Sequence, residues 1–181
     1  RVLQGEQVPA SEKVVSLFEE HTDIITKKRR ETQFGHKVCL VTGVSSMVLD
    51  CAVEPSNPAD SALFAKMLDR QAALYGRPPR QSAADGGFAS KDNLTCGKER
   101  GVKDVCFAKK RGLTVPAMAK SPWVYRMLRD FRAGIEANIS VLKRAFGLDR
   151  CTWSGWRGFL SYVWSAIIAY NLAVMARHLL A

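Results

Sequence analysis

Arg80-Gln81-Ser82-Ala83-Ala84-Asp85-Gly86-Gly87-Phe88-Ala89-Ser90 is the stretch that decides the fold. It leaves a Pro78-Pro79 dipeptide, passes through small residues to Asp85-Gly86-Gly87, and ends on Ser90, a side chain suited to cap a helix. Lys91 to Arg100 then predicts a helix with Gly101 at its C′ position, and Val102 to Phe107 alternates as a strand. Arg80 to Ala84 is too poor in β-branched residues to be a strand on propensity. It is read as a strand from its context.

Working upstream, Leu63, Phe64, Met67, Leu68, Ala72 and Leu74 follow a helical period between the turn Pro55-Ser56-Asn57-Pro58 and the stop Gly76 with Pro78. Before that turn, residues 36–42 carry Val38, Leu40 and Thr42 on one parity, and residues 47–54 are rich in Val, Leu and Met. Gly43-Val44-Ser45-Ser46 between them predicts a β-hairpin. The order β-β-α-β-α-β implies an α/β domain with a mixed sheet. Downstream, Ser121-Pro122 opens a long amphipathic helix in which Val124, Leu128, Phe131, Ile135, Ile139, Leu142 and Phe146 recur at helical spacing, to about Gly147. A last helical stretch covers about Trp156 to Leu180, with no charged residue between Arg157 and Arg177.

At 181 residues, 47% hydrophobic and 24% charged, the chain is sized for one folded domain, which excludes a disordered tail, a collagenous repeat and a small disulfide scaffold. Its five cysteines form no C-x-x-C pair and read as reduced thiols. The net charge of +10 calls for an anionic partner. Most of that charge lies between Lys109 and Arg150, where ten Lys or Arg face Asp130, Glu136 and Asp149. A smaller basic cluster spans Lys27 to Arg30.

On a helical wheel Tyr125, Arg129, Arg132, Glu136 and Lys143 share one face beside the apolar stripe, so a single carboxylate is ringed by cations. The plain alternative is a solvated face with Arg132 and Glu136 paired at i, i+4. Asp85 is the second candidate, because an acid at the carboxyl end of a strand, before Gly-Gly and a helix, lies where α/β sheets place reactive groups. An ordinary turn Asp is its plain alternative. A strand-end carboxylate and a helix carboxylate with a basic surround suit divalent-metal phosphoryl transfer on DNA, the acids holding the metal and the cations holding phosphates.

Gln33-Phe34-Gly35-His36-Lys37, Asn57-Pro58-Ala59-Asp60-Ser61, Ala83 to Ser90, and Phe131-Arg132-Ala133-Gly134-Ile135-Glu136 with Lys143, in that order, resemble the carboxyl-terminal half of a bacterial insertion-sequence DDE transposase. The resemblance implies a ribonuclease H-like mixed sheet flanked by helices, amino-terminally incomplete, with a long helical carboxyl-terminal part. It implies a core over residues 36–150, preceded by an amino-terminal segment at 1–35 and followed by a helix at 151–181 packed on that core. Asp85 resembles the family's second catalytic Asp and Glu136 its catalytic Glu, and both are implied as ligands of two Mg²⁺ or Mn²⁺ ions. Arg132 and Lys143 resemble the cations of the Tyr, Arg, Glu, Lys signature, while Arg129 stands where that signature has Tyr. Tyr125 lies one turn earlier on the same face. Arg129, Arg132, Lys143, Lys109 and Lys110 are the expected phosphate-binding set.

The family's first Asp lies on a strand upstream of the hairpin, and neither Asp23 nor Asp50 matches it. With Arg1 rather than Met opening the sequence, the expectation is a truncated chain that lacks this strand. The implied partners are transposon-end and target DNA and, for the complete enzyme, a second copy, in the bacterial cytoplasm and without a membrane. Two other readings compete. One is a non-catalytic basic DNA-binding protein; the other is a membrane-attached protein using the uncharged segment 158–176, in which Ser161, Tyr162, Ser165, Tyr170 and Asn171 instead favour a buried helix.

Overall fold

A computed structural model describes residues 2–8, 15–17, 19–27, 31–109 and 111–180. The expected hairpin forms from β3 (Val38–Thr42) and β4 (Val48–Val53), antiparallel, with an irregularity at Val41/Thr42. An unexpected antiparallel hairpin, β1 (Asp23–Lys27) with β2 (Glu31–Gly35), precedes it. Of the basic cluster Lys27 to Arg30, Lys27 ends β1, and residues 28–30 lie outside the described residues. β5 (Gln81–Ala84) pairs in parallel with β6 (Asp104–Phe107). Context, rather than propensity, was the right guide to β5.

Helices α1 (Asp60–Tyr75) and α2 (Lys91–Glu99) precede and follow β5. Ser90 caps α2 by accepting a hydrogen bond from the Asn93 backbone N–H at 3.0 Å. A short α3 (Val115–Met118) leads into α4 (Pro122–Ala145), capped by Ser121 through the Val124 N–H at 3.2 Å, and α5 (Gly155–Leu180) ends the chain.

Two apolar clusters show the layering. In the first, Phe64 and Leu68 of α1 and Leu94 of α2 meet Val105 and Phe107 of β6, while Val124, Tyr125 and Leu128 of α4 join the same core. Tyr125 is buried and its hydroxyl donates to the Phe107 carbonyl at 3.2 Å. In the second cluster Val48 and Cys51 of the hairpin pack with Leu142 of α4 and with Val163, Ile167, Tyr170 and Val174 of α5.

Two expectations are revised. The strands do not join into one mixed sheet: among the described residues there are three separate two-stranded ladders. Nor is α5 buried all round, since Trp164, Ile168, Leu172 and Met175 are exposed opposite its packed face. By length and composition α5 could cross a membrane. Its polar residues nevertheless serve the hairpin: Asn171 accepts from the Val48 N–H at 2.9 Å and donates to the Val48 carbonyl at 2.8 Å, and the Tyr170 hydroxyl donates to the Ser46 carbonyl.

The five cysteines are free thiols. Burial pushes Cys39 and Cys106 up to about 11 and Cys51 up to about 12, so these thiols stay protonated and unreactive at neutral pH.

Candidate active site

β5 ends one residue before Asp85, and the turn that follows is shaped by its two glycines. A Cβ on Gly86 would lie 2.7 Å from Cγ of Lys109, because the Lys109 stem crosses that backbone. A Cβ on Gly87 would lie 2.3 Å from Oδ2 of Asp60. Only glycine allows both approaches, so the pair draws a cation and a second acid up to the Asp85 turn. The Asp85 carboxylate accepts from the Gly86 N–H at 2.6 Å, which fixes its Oδ1 edge.

Helix α4 brings the other acid. Arg132 Nη2 lies 2.6 Å from Oε1 of Glu136 and 3.3 Å from Oδ1 of Asp85. The sum of those distances caps the separation of the two oxygens, so acids far apart in sequence share one guanidinium. Arg132 is mostly buried, whereas Asp85 and Glu136 stay open to solvent at 58% and 65% side-chain exposure. Such an arrangement is an anionic pocket holding a cation at its centre. Carboxylate oxygens are hard donors of the kind Mg²⁺ and Mn²⁺ take.

The remaining expected residues divide. Lys109 lies beside Asp85 through its packing on Gly86. Arg129 is exposed and 3.7 Å from Asp130, and Lys143 is 3.7 Å from Asp149; the residues that line the cleft of Asp85 and Glu136 include neither. Lys110 lies outside the described residues. Tyr125, expected on the reactive face, points into the core instead.

The other acids are placed as well. Asp50 is 3% exposed and gripped by Arg70 at 2.7 and 2.8 Å, with its Oδ1 also accepting from the Cys51 N–H. It is a structural carboxylate of the β4–α1 contact. Asp23 sits in β1, where its Oδ1 accepts from the Ile24 N–H. Asp60 pairs with Lys37 at 2.9 Å, and Lys37 Nζ also donates to the Pro58 carbonyl. Lys37 and Asp60 line the same cleft as Asp85, Arg132 and Glu136. The sequence signal for this pair lies in the two stretches Gln33 to Lys37 and Asn57 to Ser61, the second of which opens α1 with an acid. Among the described residues no three His, Cys, Asp or Glu side chains are grouped to hold a metal ion.

Residues 13–172, most of the chain, match the family model of the transposase DDE domain. The chain belongs to that family. Neither a curated protein nor a solved structure matches it. Membership gives the transposase domain its function class, transposition, with DNA as the implied partner and divalent metal as the family's general cofactor. The mixed α/β architecture is consistent with it.

Proposed function

We propose that the domain is the catalytic portion of an insertion-sequence transposase with a ribonuclease H-like fold, which cuts DNA at the element ends and joins the freed 3′-hydroxyl to target DNA. The observation that carries this reading is the convergence of Asp85 and Glu136 on Arg132 at the open mouth of a cleft. Asp85 and Glu136 would hold divalent metal, Mg²⁺ or Mn²⁺, which when bound activates the attacking oxygen and stabilises the leaving one. The chain itself supplies the placement: β5 and the Gly86–Gly87 turn aim Asp85, and α4 aims Glu136. Arg132 neutralises the two acids and, with Lys109, Arg129 and Lys143, holds phosphate oxygens close to them. Asp50 is engaged with Arg70 and Asp23 belongs to the separate β1–β2 hairpin, so neither is assigned to the site as its third acid. The enzyme acts on DNA as a homodimer in the bacterial cytoplasm.

The test is titration with Mn²⁺, read by calorimetry, on the chain and on Asp85→Asn and Glu136→Gln. Binding lost in both variants, with folding unchanged, is the expected result. Equal Mn²⁺ binding by all three, alongside salt-sensitive DNA binding, would favour the basic DNA-binding protein in which these acids are structural.

A further inference from the structure

The cleft that holds Asp85 and Glu136 has a volume of about 770 Å³ and is walled by β3, β5, α1 and α4. Apolar side chains of all four make up most of its lining. Among the described residues only five charged side chains reach it: Lys37, Asp60, Asp85, Arg132 and Glu136. Three of these carry the function proposed above. Lys37 and Asp60 have no part in it.

Other ion pairs of the domain tie elements together away from the cleft: Arg70 with Asp50, Lys66 with Glu54, and Arg100 with Asp69. The Lys37–Asp60 pair differs in place and in construction. Lys37 is the residue before β3, and Asp60 is the first of α1. Lys37 Nζ lies 2.9 Å from Asp60 Oδ1 and also donates to the Pro58 carbonyl. An ammonium carries three N–H donors, so two fix this one in place and the third has no partner among the described residues. A lysine stem has many rotamers to lose when it grips a ligand, and here the fold has already removed them. With 22% of the side chain exposed, the charge is also less screened by water than on an open surface. The second oxygen of Asp60, Oδ2, lies against Gly87, where a Cβ would come within 2.3 Å. One carboxylate therefore links the ammonium to the turn that aims Asp85. An acid placed only to favour the α1 dipole would need neither this contact nor a place in the cleft.

We propose that Lys37 is a further phosphate-binding residue of the site, donating to an oxygen of a DNA phosphate in the cleft of Asp85 and Glu136, and that Asp60 is its positioning residue. The proposal rests on the function proposed above. The two cations of the cleft then divide the work. Arg132 presents a planar fork already engaged with two carboxylates, whereas Lys37 is a compact point charge whose donors rotate. Such a group can keep hold of a phosphate oxygen while the geometry at phosphorus changes. Asp60 offsets part of the attraction of Lys37 for the DNA backbone and in exchange fixes where the phosphate sits, relative to the same turn that carries Asp85.

The experiment uses the full 181-residue chain and a short fluorescein-labelled DNA duplex. By anisotropy, Lys37→Met should lower the slope of log affinity against log salt by about 0.9, the loss of one phosphate contact, and Lys37→Arg should restore it. Lys66→Met, whose partner Glu54 lies outside the cleft, should leave the slope unchanged. In NMR spectra of the chain with isotope-labelled lysine, the Lys37 ammonium signal, identified by its loss in Lys37→Met, should shift when unlabelled duplex is added. Asp60→Asn keeps the shape against Gly87, and in it that signal should broaden by exchange with water and lose its response to DNA, with the far-UV spectrum unchanged. A slope unchanged in Lys37→Met, an equal drop in Lys66→Met, or a Lys37 signal that DNA does not move overturns the proposal. A full response to DNA in Asp60→Asn overturns the positioning role. Mn²⁺ titration separates this inference from the function it rests on. If Asp85→Asn and Glu136→Gln lose Mn²⁺ while Lys37 ignores DNA, this inference alone falls. If those variants bind Mn²⁺ as the parent does while Lys37 responds to DNA, the phosphate contact stands and the catalytic reading falls.

Discussion

Asp50→Asn separates a structural acid from a catalytic one. The Asp50 carboxylate is 3% exposed and takes two short hydrogen bonds from Arg70, at 2.7 and 2.8 Å. In return the carboxylate holds the Arg70 guanidinium above its ordinary pKa. The amide keeps the shape and can still accept from the Cys51 N–H, but it removes the charge from both Arg70 contacts. Hydrogen bonds to charged groups are worth about 1.5–3 kcal/mol each, and stranding a fully buried partner costs about 3–5 kcal/mol. Arg70 has 39% of its side chain exposed and can return to water, which puts the loss below that second range, at about 2–3 kcal/mol. With a urea m-value near ~2 kcal/mol/M, the unfolding midpoint should fall by roughly 1 M. Urea melts followed by tryptophan fluorescence, paired with Mn²⁺ titration, read both quantities. A variant as stable as the parent that has lost Mn²⁺ binding would refute the reasoning and make Asp50 a ligand.

Gly87→Ala puts a methyl against Asp60 Oδ2 and should cost about 1–3 kcal/mol in urea melts, since the Lys37 pair holds that carboxylate in place. Parent-like stability would show that the turn has room. His36 stacks on His21, which is hydrogen-bonded to Glu19, and Trp156 meets both rings; burial, then the His21 charge, lowers the His36 pKa, against weaker opposing effects from Asp23 and the Glu54 backbone. The unfolded state therefore takes up the proton first, so stability is lost as pH falls from the ordinary histidine value of ~6.5 toward the lower folded one. Thermal melts across that range should show the loss and His36→Phe should flatten it; parallel profiles would contradict it. Lys143→Ala should leave stability within about 0.5 kcal/mol yet reduce strand joining in a joining-competent transposase that carries this domain, and normal joining would end its phosphate role. The 181-residue chain alone should bind DNA with steep salt dependence but not join ends, and metal-dependent joining by it to plasmid DNA would reverse that expectation.

Local signals in the sequence were reliable where the cause is local. Ser90 and Ser121 cap their helices because a side-chain oxygen reaches an N–H three residues on, and the 38–42 and 48–53 hairpin follows from its turn. The β1–β2 hairpin went unread because the basic run that begins at Lys27 read only as a charge cluster. Tyr125 misled the helical wheel: angular position beside the stripe says nothing about which neighbour covers it, and the Phe107 carbonyl does so here.

What the sequence determined by itself was the family and, from β3 onward, the order of the longer elements, carried by residue type and spacing along the chain; it also put forward Asp85 and Glu136 as candidate acids. Only the tertiary structure decided that one guanidinium joins those acids, that Asp50 belongs to Arg70, and that β3 and β5 face each other across an apolar gap. Each of these depends on contacts between segments tens of residues apart, where pairing, burial and unmet hydrogen bonds are properties of the packed chain and leave no trace in local pattern.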